Sequence, residues 1–480
     1  MPDKSIKESK ERISSAIKNS GLLAPNSKHK KITINLAPAD IRKEGPSYDL
    51  PIALAYLVET GQLKLDTSKK LFVGELSLDG SIKKVNGVLS IAFLAKNLGF
   101  KELILPFSNF AEAKLVDGLK IIPVVNIREA ILYLSGELMP SFESFEAKTT
   151  QHDSDNPESF MLIRGQETAK RALIISAAGA HNLLMFGPPG SGKTLLAKSL
   201  MDLLPKLSFE EAVEVAKVYS SIGMFSGSPL SFKRPFRNPH HTTSVSAVVG
   251  GGSYPKPGEI SLAHRGVLFL DELPEFPRDV LEGLRQPMED GTVTISRVVG
   301  SIALPAKFTL IAAMNPCPCG NYGSEKADCI CMPYNILKYR KKVSGPLLDR
   351  IDMQINVPRE TVGMENSTEN PHKMIEFNKI KEKINKARQI QQERFKKASI
   401  FTNSEIDFKN IDKFSKIEPN ADNFLKEAVN VKNLSMRSYH KIKKLSRTIA
   451  DLEESDTIKE HHVAEALSFR INENLFSDLV

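Results

Sequence analysis

The sequence of 480 residues lacks tryptophan altogether and has only four cysteines. It also lacks any apolar run approaching the roughly 18 residues that a transmembrane helix needs. Its first residues are polar and lead into a charged helical pattern, without the apolar core of a signal peptide. We therefore expect a cytoplasmic protein with no membrane partner.

A strong excess of one charge is missing too. Lys and Arg number 65 against 57 Asp and Glu, which gives a net charge of +8. This thin excess permits a polyanionic partner without indicating one. What is present, 41% hydrophobic and 25% charged residues, is typical of folded domains and excludes wholesale disorder.

Two polar stretches, at 146–159 and 359–372, divide the chain. Strand and helix signals alternate before the first stretch, and the pattern after the second is almost entirely helical. The predicted α/β organisation is an N-terminal domain, a linker, a core and a helical C-terminal domain, at 1–145, 146–160, 161–358 and 373–480. The clearest local predictions are strands over 32–36, 71–73 and 102–106, and helices over 50–58, 373–397 and 436–452.

A glycine-rich motif in the central part predicts a nucleotide site. It matches G-x-x-x-x-G-K-[ST] at every fixed position and lies between an apolar strand pattern (182–186) and a helical run (195–200). In such a loop, backbone N–H groups surround the phosphates, the lysine neutralises their oxygens, and the threonine hydroxyl binds Mg²⁺. The residues predicted to bind ATP are Gly187, Pro188, Pro189, Gly190, Ser191, Gly192, Lys193 and Thr194.

A second motif completes the site. The apolar strand pattern at 267–270 ends in two carboxylates, of which Asp271 would hold Mg²⁺ and Glu272 would polarise the attacking water. This Walker B arrangement, together with the glycine-rich loop, resembles the AAA+ ATPases. The resemblance implies a sensor at Asn315, an arginine finger at Arg350 directed toward a neighbour's γ-phosphate, and a second sensor at Arg437. A finger that acts between subunits implies a ring.

Three segments make the resemblance specific. Residues 234–242, 257–266 and 344–352 resemble the magnesium-chelatase branch of AAA+, and within it nearly the whole chain is similar to the YifB/ComM family. The resemblance implies a Lon-protease-like α+β N-terminal domain, a P-loop AAA+ core with a parallel sheet, and an all-α C-terminal lid. It also implies a hexameric DNA helicase that uses ATP and Mg²⁺ and promotes branch migration in recombination or natural transformation. Its expected partners are single-stranded or branched DNA and recombination proteins.

The N-terminal domain departs from an active protease. Ser47 falls on the nucleophile of Lon-like domains, but Leu89 and Ser90 stand where the lysine base belongs, and Lys83 and Lys84 are displaced. We therefore expect a non-catalytic domain. The family's domain also begins with additional strands, so some three dozen residues are expected upstream, or else this domain is truncated.

Two insertions have less certain roles. Strand patterns at 292–296 and 301–304 predict a hairpin around Arg297, a residue that suits either a phosphate contact or a solvated turn. The glycines at 250–252 predict an extended loop. His240 and His241 are adjacent, and consecutive residues seldom share one metal well, so we expect polar roles near a subunit interface.

All four cysteines lie between Asn315 and Arg350, in the pattern C-x-C-x₉-C-x-C. Four thiolates can close a tetrahedral structural Zn²⁺ site, although free or redox-active thiols and an iron–sulfur cluster also fit. The ligands would be Cys317, Cys319, Cys329 and Cys331. The residues alone also leave two alternatives to a DNA motor, namely a protein-remodelling ATPase and, less well supported, a metal-chelatase motor subunit.

Overall fold

A computed structural model describes residues 4–25, 32–34, 46–137, 158–225, 230–252, 255–297, 300–323, 328–359, 371–396, 398, 400–432 and 434–470. The chain divides into two compact units. The first comprises Met1–Asp153, Phe209–Ser231 and Ser296–Ile302, and the second comprises the rest. The predicted linker at 146–160 lies outside the described residues except for its last three. Among the helices described, none is both long and apolar enough to cross a bilayer.

In its described residues, the N-terminal segment of the first unit contains five α-helices and five strands. A parallel sheet has the strand order β1-β4-β5, and β2 pairs with β3 in an antiparallel ribbon. In chain order the elements are α1 (Lys4–Asn19), α2 (Asp49–Glu59), β1 (Lys70–Phe72), β2 (Glu75–Leu76), β3 (Ile82–Lys83), α3 (Val88–Asn97), β4 (Glu102–Pro106), α4 (Phe110–Ala113), β5 (Lys120–Val124) and α5 (Ile127–Leu134).

The core of this unit forms where α1 and α2 pack on the sheet. Ile17, Leu50 and Leu54 are buried there, and the buried carboxylate of Asp49 accepts a hydrogen bond from Arg12 Nε at 2.9 Å. The predicted helix at 50–58 and strands at 71–73 and 102–106 are confirmed to within two residues. The strand predicted over 32–36 is not found: residues 32–34 lie outside any strand, and 35–36 lie outside the described residues.

The segment from residue 158 to residue 359 supplies the core of the second unit, apart from Phe209–Ser231 and Ser296–Ile302, which belong to the first unit. Its elements are α6 (Glu158–Met161), α7 (Glu167–Gly179), β6 (Leu183–Phe186), α8 (Lys193–Leu203), α9 (Phe209–Ser221, in the first unit), β7 (Phe236–Arg237), α10 (Val245–Val248), β8 (Gly250–Gly251), β9 (Lys256–Pro257), α11 (Glu259–Leu262), β10 (Val267–Leu270), α12 (Arg278–Gly283), α13 (Arg285–Asp290), β11 (Thr292–Arg297), β12 (Gly300–Pro305), β13 (Thr309–Met314), α14 (Pro333–Arg340), α15 (Gly345–Leu348) and β14 (Met353–Asn356). Single 3₁₀ turns occupy Pro46–Tyr48, Phe107–Asn109, Leu273–Glu275 and Asn403–Glu405.

Helix α9 packs within the first unit, although it follows the P-loop helix in sequence. The Gly87 N–H donates to the carbonyl oxygen of Ser220 at 2.9 Å, and Lys217 Nζ lies 3.9 Å from the centre of the Phe93 ring. A division of the chain into consecutive sequence segments would not place α9 in the first unit.

A five-stranded parallel sheet organises the second unit, in the order β14-β6-β13-β10-β7. Successive residues of each strand face opposite sides, and both sides are buried, as in parallel sheets covered on two faces. Met185 and Phe269 face the core shared with α7 and α8, whereas Leu184 and Leu268 face the core shared with α12. β6 lies between β14 and β13, and parallel folds bind ligands beyond the carboxyl ends of such strands.

Within the extended loop predicted at the glycines 250–252, the structure forms a short strand. Gly250 and Gly251 form β8, which pairs with β9 in an antiparallel ribbon. Gly250 has φ +106°, and an added Cβ would lie 2.7 Å from Cδ1 of Ile295. A glycine is required there because the backbone passes too close to its neighbours for a side chain.

Residues 371–470, as far as described, form the helices α16 (Pro371–Arg394), α17 (Ile411–Phe414), α18 (Pro419–Val431), α19 (Met436–Leu452) and α20 (Glu460–Ser468). The helices α16 and α19 lie where helical patterns were predicted. They pack on α7: Arg388 Nη2 donates to the carbonyl oxygen of Ala177 at 2.7 Å, and Gln391 Nε2 donates to that of Ala178 at 2.9 Å. These bonds satisfy carbonyls near the end of α7 that the helix itself leaves unpaired.

Candidate functional site

The glycine-rich loop joins the carboxyl end of β6 to the first turn of α8. Gly190 and Gly192 have φ of +75° and +88°, in the left-handed region that glycine adopts without strain. A Cβ at Gly187 would overlap the carbonyl oxygen of Val357. The motif therefore requires glycine at these positions because of the backbone conformation and its close contacts. The N-terminus of α8 directs its backbone N–H groups into the loop.

Lys193 lies at the centre of the loop. Its Nζ donates to the carbonyl oxygens of Gly187 at 2.7 Å and Pro188 at 2.8 Å, and it lies 3.2 Å from Oδ1 of Asn315. Burial lowers the pKa of the ammonium to about 8, against the opposing attraction of Asp271 and Glu272. The predicted sensor and the P-loop lysine are thus in direct contact.

The predicted magnesium ligands also meet. The hydroxyl of Thr194 donates to Oδ2 of Asp271 at 2.9 Å, and the other carboxylate oxygen accepts the N–H of Glu272 at 2.9 Å. Oxygen ligands of this kind suit Mg²⁺, which is commonly held by one or two protein groups plus phosphate oxygens. The two side chains fit a shared magnesium ion beside a bound triphosphate.

Glu272 follows in the left-handed conformation, with φ +52°, so its side chain turns away from the strand. Its Oε2 lies 3.4 Å from Nδ1 of His241. The His241 ring packs edge-on to Phe276 and lies 4.1 Å from the His240 ring, whose Nδ1 is 2.9 Å from Oγ1 of Thr242. Both histidines make polar contacts, and His241 contacts the expected catalytic carboxylate.

Sequence reasoning missed that contact, although a signal for it existed. His241 follows β7, and β7 is the parallel neighbour of the strand that ends in Asp271 and Glu272. Residues that follow neighbouring parallel strands reach the same edge of the sheet.

The two arginines predicted to sense nucleotide lie together, with Glu289 between them. Arg350 Nη2 lies 2.7 Å from Oε2 of Glu289, and Arg437 Nη2 lies 2.6 Å from Oε1. Arg350 is only 8% exposed, and its Nη1 donates to the carbonyl oxygen of Pro346 at 2.6 Å. The structure thus brings the predicted finger and second sensor to one place, where both are paired with a carboxylate of their own chain.

The four cysteine sulfur atoms converge, all lying within 4.8 Å of one another. The Sγ of Cys317 lies 3.3 Å from that of Cys319 and 3.6 Å from that of Cys329. Sulfur atoms bound to one zinc at about 2.3 Å in a tetrahedron lie roughly 3.8 Å apart, so the cluster fits that ion. A backbone N–H from Asn321 lowers the pKa of the Cys319 thiol to about 6, whereas burial raises that of the Cys329 thiol to about 12, so a bound cation would be needed to hold both as thiolates.

The cysteine loop also contacts the nucleotide loop. Gly320, between two of the ligands, has φ +83°, and an added Cβ would lie 2.5 Å from Cδ of Pro189. The guanidinium of Arg340 supports the same loop, because its Nε donates to the carbonyl oxygen of Pro316 at 3.0 Å.

Ser47 of the first unit has different surroundings. It lies in a 3₁₀ turn, and its carbonyl oxygen accepts the Gly74 N–H at 3.0 Å. Lys84 Nζ donates to the carbonyl oxygen of Phe225 at 2.7 Å. Leu89 is fully buried.

The predicted hairpin is confirmed as β11 and β12, but the side chain of Arg297 lies outside the described residues.

Family comparisons agree with this site. The model described as "Magnesium chelatase, subunit ChlI" matches residues 159–364, "Subunit ChlI of Mg-chelatase" matches 1–109, and "Magnesium chelatase, subunit ChlI C-terminal" matches 376–470. The fold and the site therefore define a magnesium-chelatase-like ATPase of the AAA+ class.

Individual relatives narrow that class. The chain is 43% identical over 488 residues to the competence protein ComM of Haemophilus influenzae, covering 100% of this chain and 92% of that protein. It is 41% identical over 485 residues to YifB of Escherichia coli, with the same two coverages. The magnesium-chelatase 38 kDa subunit of Rhodobacter capsulatus is 29% identical over 177 residues, 33% of this chain and 50% of that protein. The chain belongs to the YifB/ComM family, as its motifs predict.

Proposed function

We propose that this protein is a ring-forming, ATP-driven DNA motor of the ComM type, a helicase that promotes branch migration. The observation that carries the proposal is the division of the predicted site into two parts. Lys193, Thr194 and Asp271 meet at one edge of the sheet, whereas Arg350 and Arg437 pair elsewhere with Glu289. This separation is expected if the arginines that act on the nucleotide of one subunit belong to a neighbouring subunit.

The residues at the sheet edge suit hydrolysis of a bound triphosphate. Lys193 would exchange its carbonyl partners for phosphate oxygens, and Thr194 and Asp271 would hold Mg²⁺, which neutralises phosphate charge when bound. Glu272 would accept a proton from the attacking water, with His241 orienting its carboxylate. Asn315 would hold the water in line, since its side chain already reaches the P-loop lysine.

DNA as the substrate rests on kinship. The full-length relative from Haemophilus influenzae is named a competence protein, and the motifs resemble the ring helicases of that family. The chelatase subunit matches only a third of the chain, which favours a DNA motor over metal insertion. A protein-remodelling motor, in which the N-terminal domain recruits a protein client, remains the second candidate because no base-reading motif is present in the sequence.

The deciding measurement is the ATPase rate with and without single-stranded or branched DNA. We expect stimulation by DNA and salt-sensitive DNA binding, because phosphate contacts release counterions. Glu272→Gln should abolish hydrolysis while retaining both ATP and DNA binding. An ATPase that is indifferent to DNA and does not bind it would overturn the helicase proposal, and a client screen would then test the protein-remodelling alternative.

We also propose that Cys317, Cys319, Cys329 and Cys331 hold one structural zinc ion. The convergence of their sulfur atoms supports the proposal, and four sulfur ligands leave no open position for chemistry. The ion would fix the loop that contacts Pro189 and so brace the nucleotide site.

A further inference from the structure

Glu289, at the end of α13, bridges two arginines from distant parts of the second unit. One carboxylate oxygen lies 2.7 Å from Arg350 Nη2, and the other lies 2.6 Å from Arg437 Nη2. Each guanidinium thus pairs with a separate carboxylate oxygen of Glu289. Charge-assisted hydrogen bonds of this kind fix the orientation of both guanidiniums. Two like charges held this close would repel each other if the carboxylate were absent.

A second link ties the same two segments together one helical turn away. Lys441 Nζ lies 2.9 Å from Oδ1 of Asp352, and Oδ2 of Asp352 accepts the Asn182 N–H at 2.9 Å. Arg437 and Lys441 are four residues apart and share a face of α19. The finger segment and the first turns of α19 are therefore held together at two points, and Glu289 supplies one of them.

The Arg–Glu–Arg cluster retains capacity for an anion. Its formal charge is +1, since two guanidiniums face one carboxylate. Arg350 Nε is buried and has no hydrogen-bond partner among the described residues, and the side chain of Arg437 is 37% exposed. A phosphate oxygen is the kind of ligand that planar guanidinium groups recognise.

We infer that Glu289 is a positioning residue, which holds Arg350 and Arg437 side by side so that both guanidiniums reach one phosphate. The inference rests on the proposed function, in which Arg350 acts on the nucleotide of a neighbouring subunit. Glu289 does not touch that nucleotide, and acts only by orienting the two arginines. Arg350 and Arg437 then respond to nucleotide together.

The test is Glu289→Gln, which keeps the shape of the side chain and removes its charge. We expect kcat for ATP hydrolysis to fall about tenfold, less than the roughly 100-fold cost of a fully misplaced group, because both arginines remain in the protein. The KM for ATP, binding of a fluorescent ATP analogue and the Tm should stay unchanged, because the P-loop binds nucleotide without Glu289. Glu454→Gln is the matched control, since that carboxylate pairs with Lys386 at 3.0 Å on an exposed surface and should leave kcat unchanged.

A double-mutant cycle separates positioning from general stability. If Glu289 acts through the two arginines, adding Glu289→Gln to the double variant Arg350→Ala/Arg437→Ala should lower kcat no further than that double variant alone. Additive losses, an unchanged kcat in Glu289→Gln, or a loss that tracks a lowered Tm would each overturn the inference. Full activity in Arg350→Ala would instead refute the finger, and with it the proposed function. If Glu289→Gln does not fold, Glu289→Asp serves in the same cycle, because it keeps the charge but cannot span both arginines.

Discussion

Two regions of this chain resemble catalytic motifs in sequence, and their surroundings differ sharply. At the carboxyl edge of the second unit's sheet, Lys193 meets Asn315 and Thr194 meets Asp271. In the first unit, Ser47 lies where the sequence resemblance predicts a nucleophile, but the buried Leu89 stands where it predicts the base. A nucleophile without a base is inert at neutral pH, whereas a lysine among carboxylates and loop amides is ready for a phosphate.

This difference shows that a catalytic motif indicates chemistry only when neighbouring strands bring its partner residues to the same place. Four adjacent parallel strands of the second unit end at one edge, so the residues that follow them meet whatever their separation in sequence. The following predictions test this contrast, beginning with the largest expected effect.

Lys193→Ala should abolish ATP hydrolysis, with a loss of at least about 100-fold, because no other cation lies within the P-loop to neutralise the phosphates among the described residues. Steady-state phosphate release measures the rate. Lys198→Ala, on the same helix but exposed, is the control and should retain full activity. Substantial hydrolysis in Lys193→Ala would mean that the assembled site is not the catalytic one.

Cys319→Ser should reduce bound zinc from about one ion per chain to none, because a three-thiolate site binds the ion less tightly. Elemental analysis of protein purified under reducing conditions without chelator measures it. We also expect the KM for ATP to rise several-fold, since the loop that contacts Pro189 loses its anchor. Wild-type protein free of zinc would contradict the metal site. An unchanged KM after zinc loss would show that the P-loop is held without the cysteine loop.

Asp352→Asn should destabilise the second unit by about 3 kcal/mol, the usual cost of leaving a buried charge without its partner. Asp352 faces Lys441 at 2.9 Å and His181 at 3.6 Å, and is 8% exposed. Although burial alone would raise the pKa of the Asp352 carboxyl, the Lys441 ammonium and the hydrogen bond to His181 hold it well below its usual value. Its stabilisation is therefore present above about pH 4 and is lost as the pH falls further. Thermal unfolding across pH checks both effects, and an unchanged Tm at pH 7 would contradict them.

The sequence predicted the sheet edge well because each of its elements carries a local signal. The apolar strands β6 and β10 and the glycine-rich loop were placed to within two residues. Contacts made by residues far apart in sequence were not predictable: His241 on Glu272 and Glu289 between two arginines depend on which strands and helices become neighbours. Helix α9 shows the same limit, because an amphipathic pattern does not specify the partner it packs on.

The strand predicted at 32–36 fails for a related reason. Alternating Ile32 and Ile34 suit a strand, but β structure requires a neighbouring strand to bond with, and alternation gives no information about that neighbour. By contrast, the prediction of a buried helix at 50–58 succeeded because a helix makes its hydrogen bonds within itself.

The smallest expected effect is the sharpest test of the contrast. Ser47→Ala should change neither ATPase rate nor Tm beyond error, because removing one half-exposed hydroxyl leaves the backbone bond from Gly74 to Ser47 intact. Incubation with an unfolded protein substrate should yield no Ser47-dependent cleavage, since Lys84, the lysine closest in sequence to the expected base position, donates to the carbonyl oxygen of Phe225 instead. Peptide cleavage that Ser47→Ala abolishes would show that a base reaches the serine by rearrangement, and that partners absent from the resting structure can still complete a site.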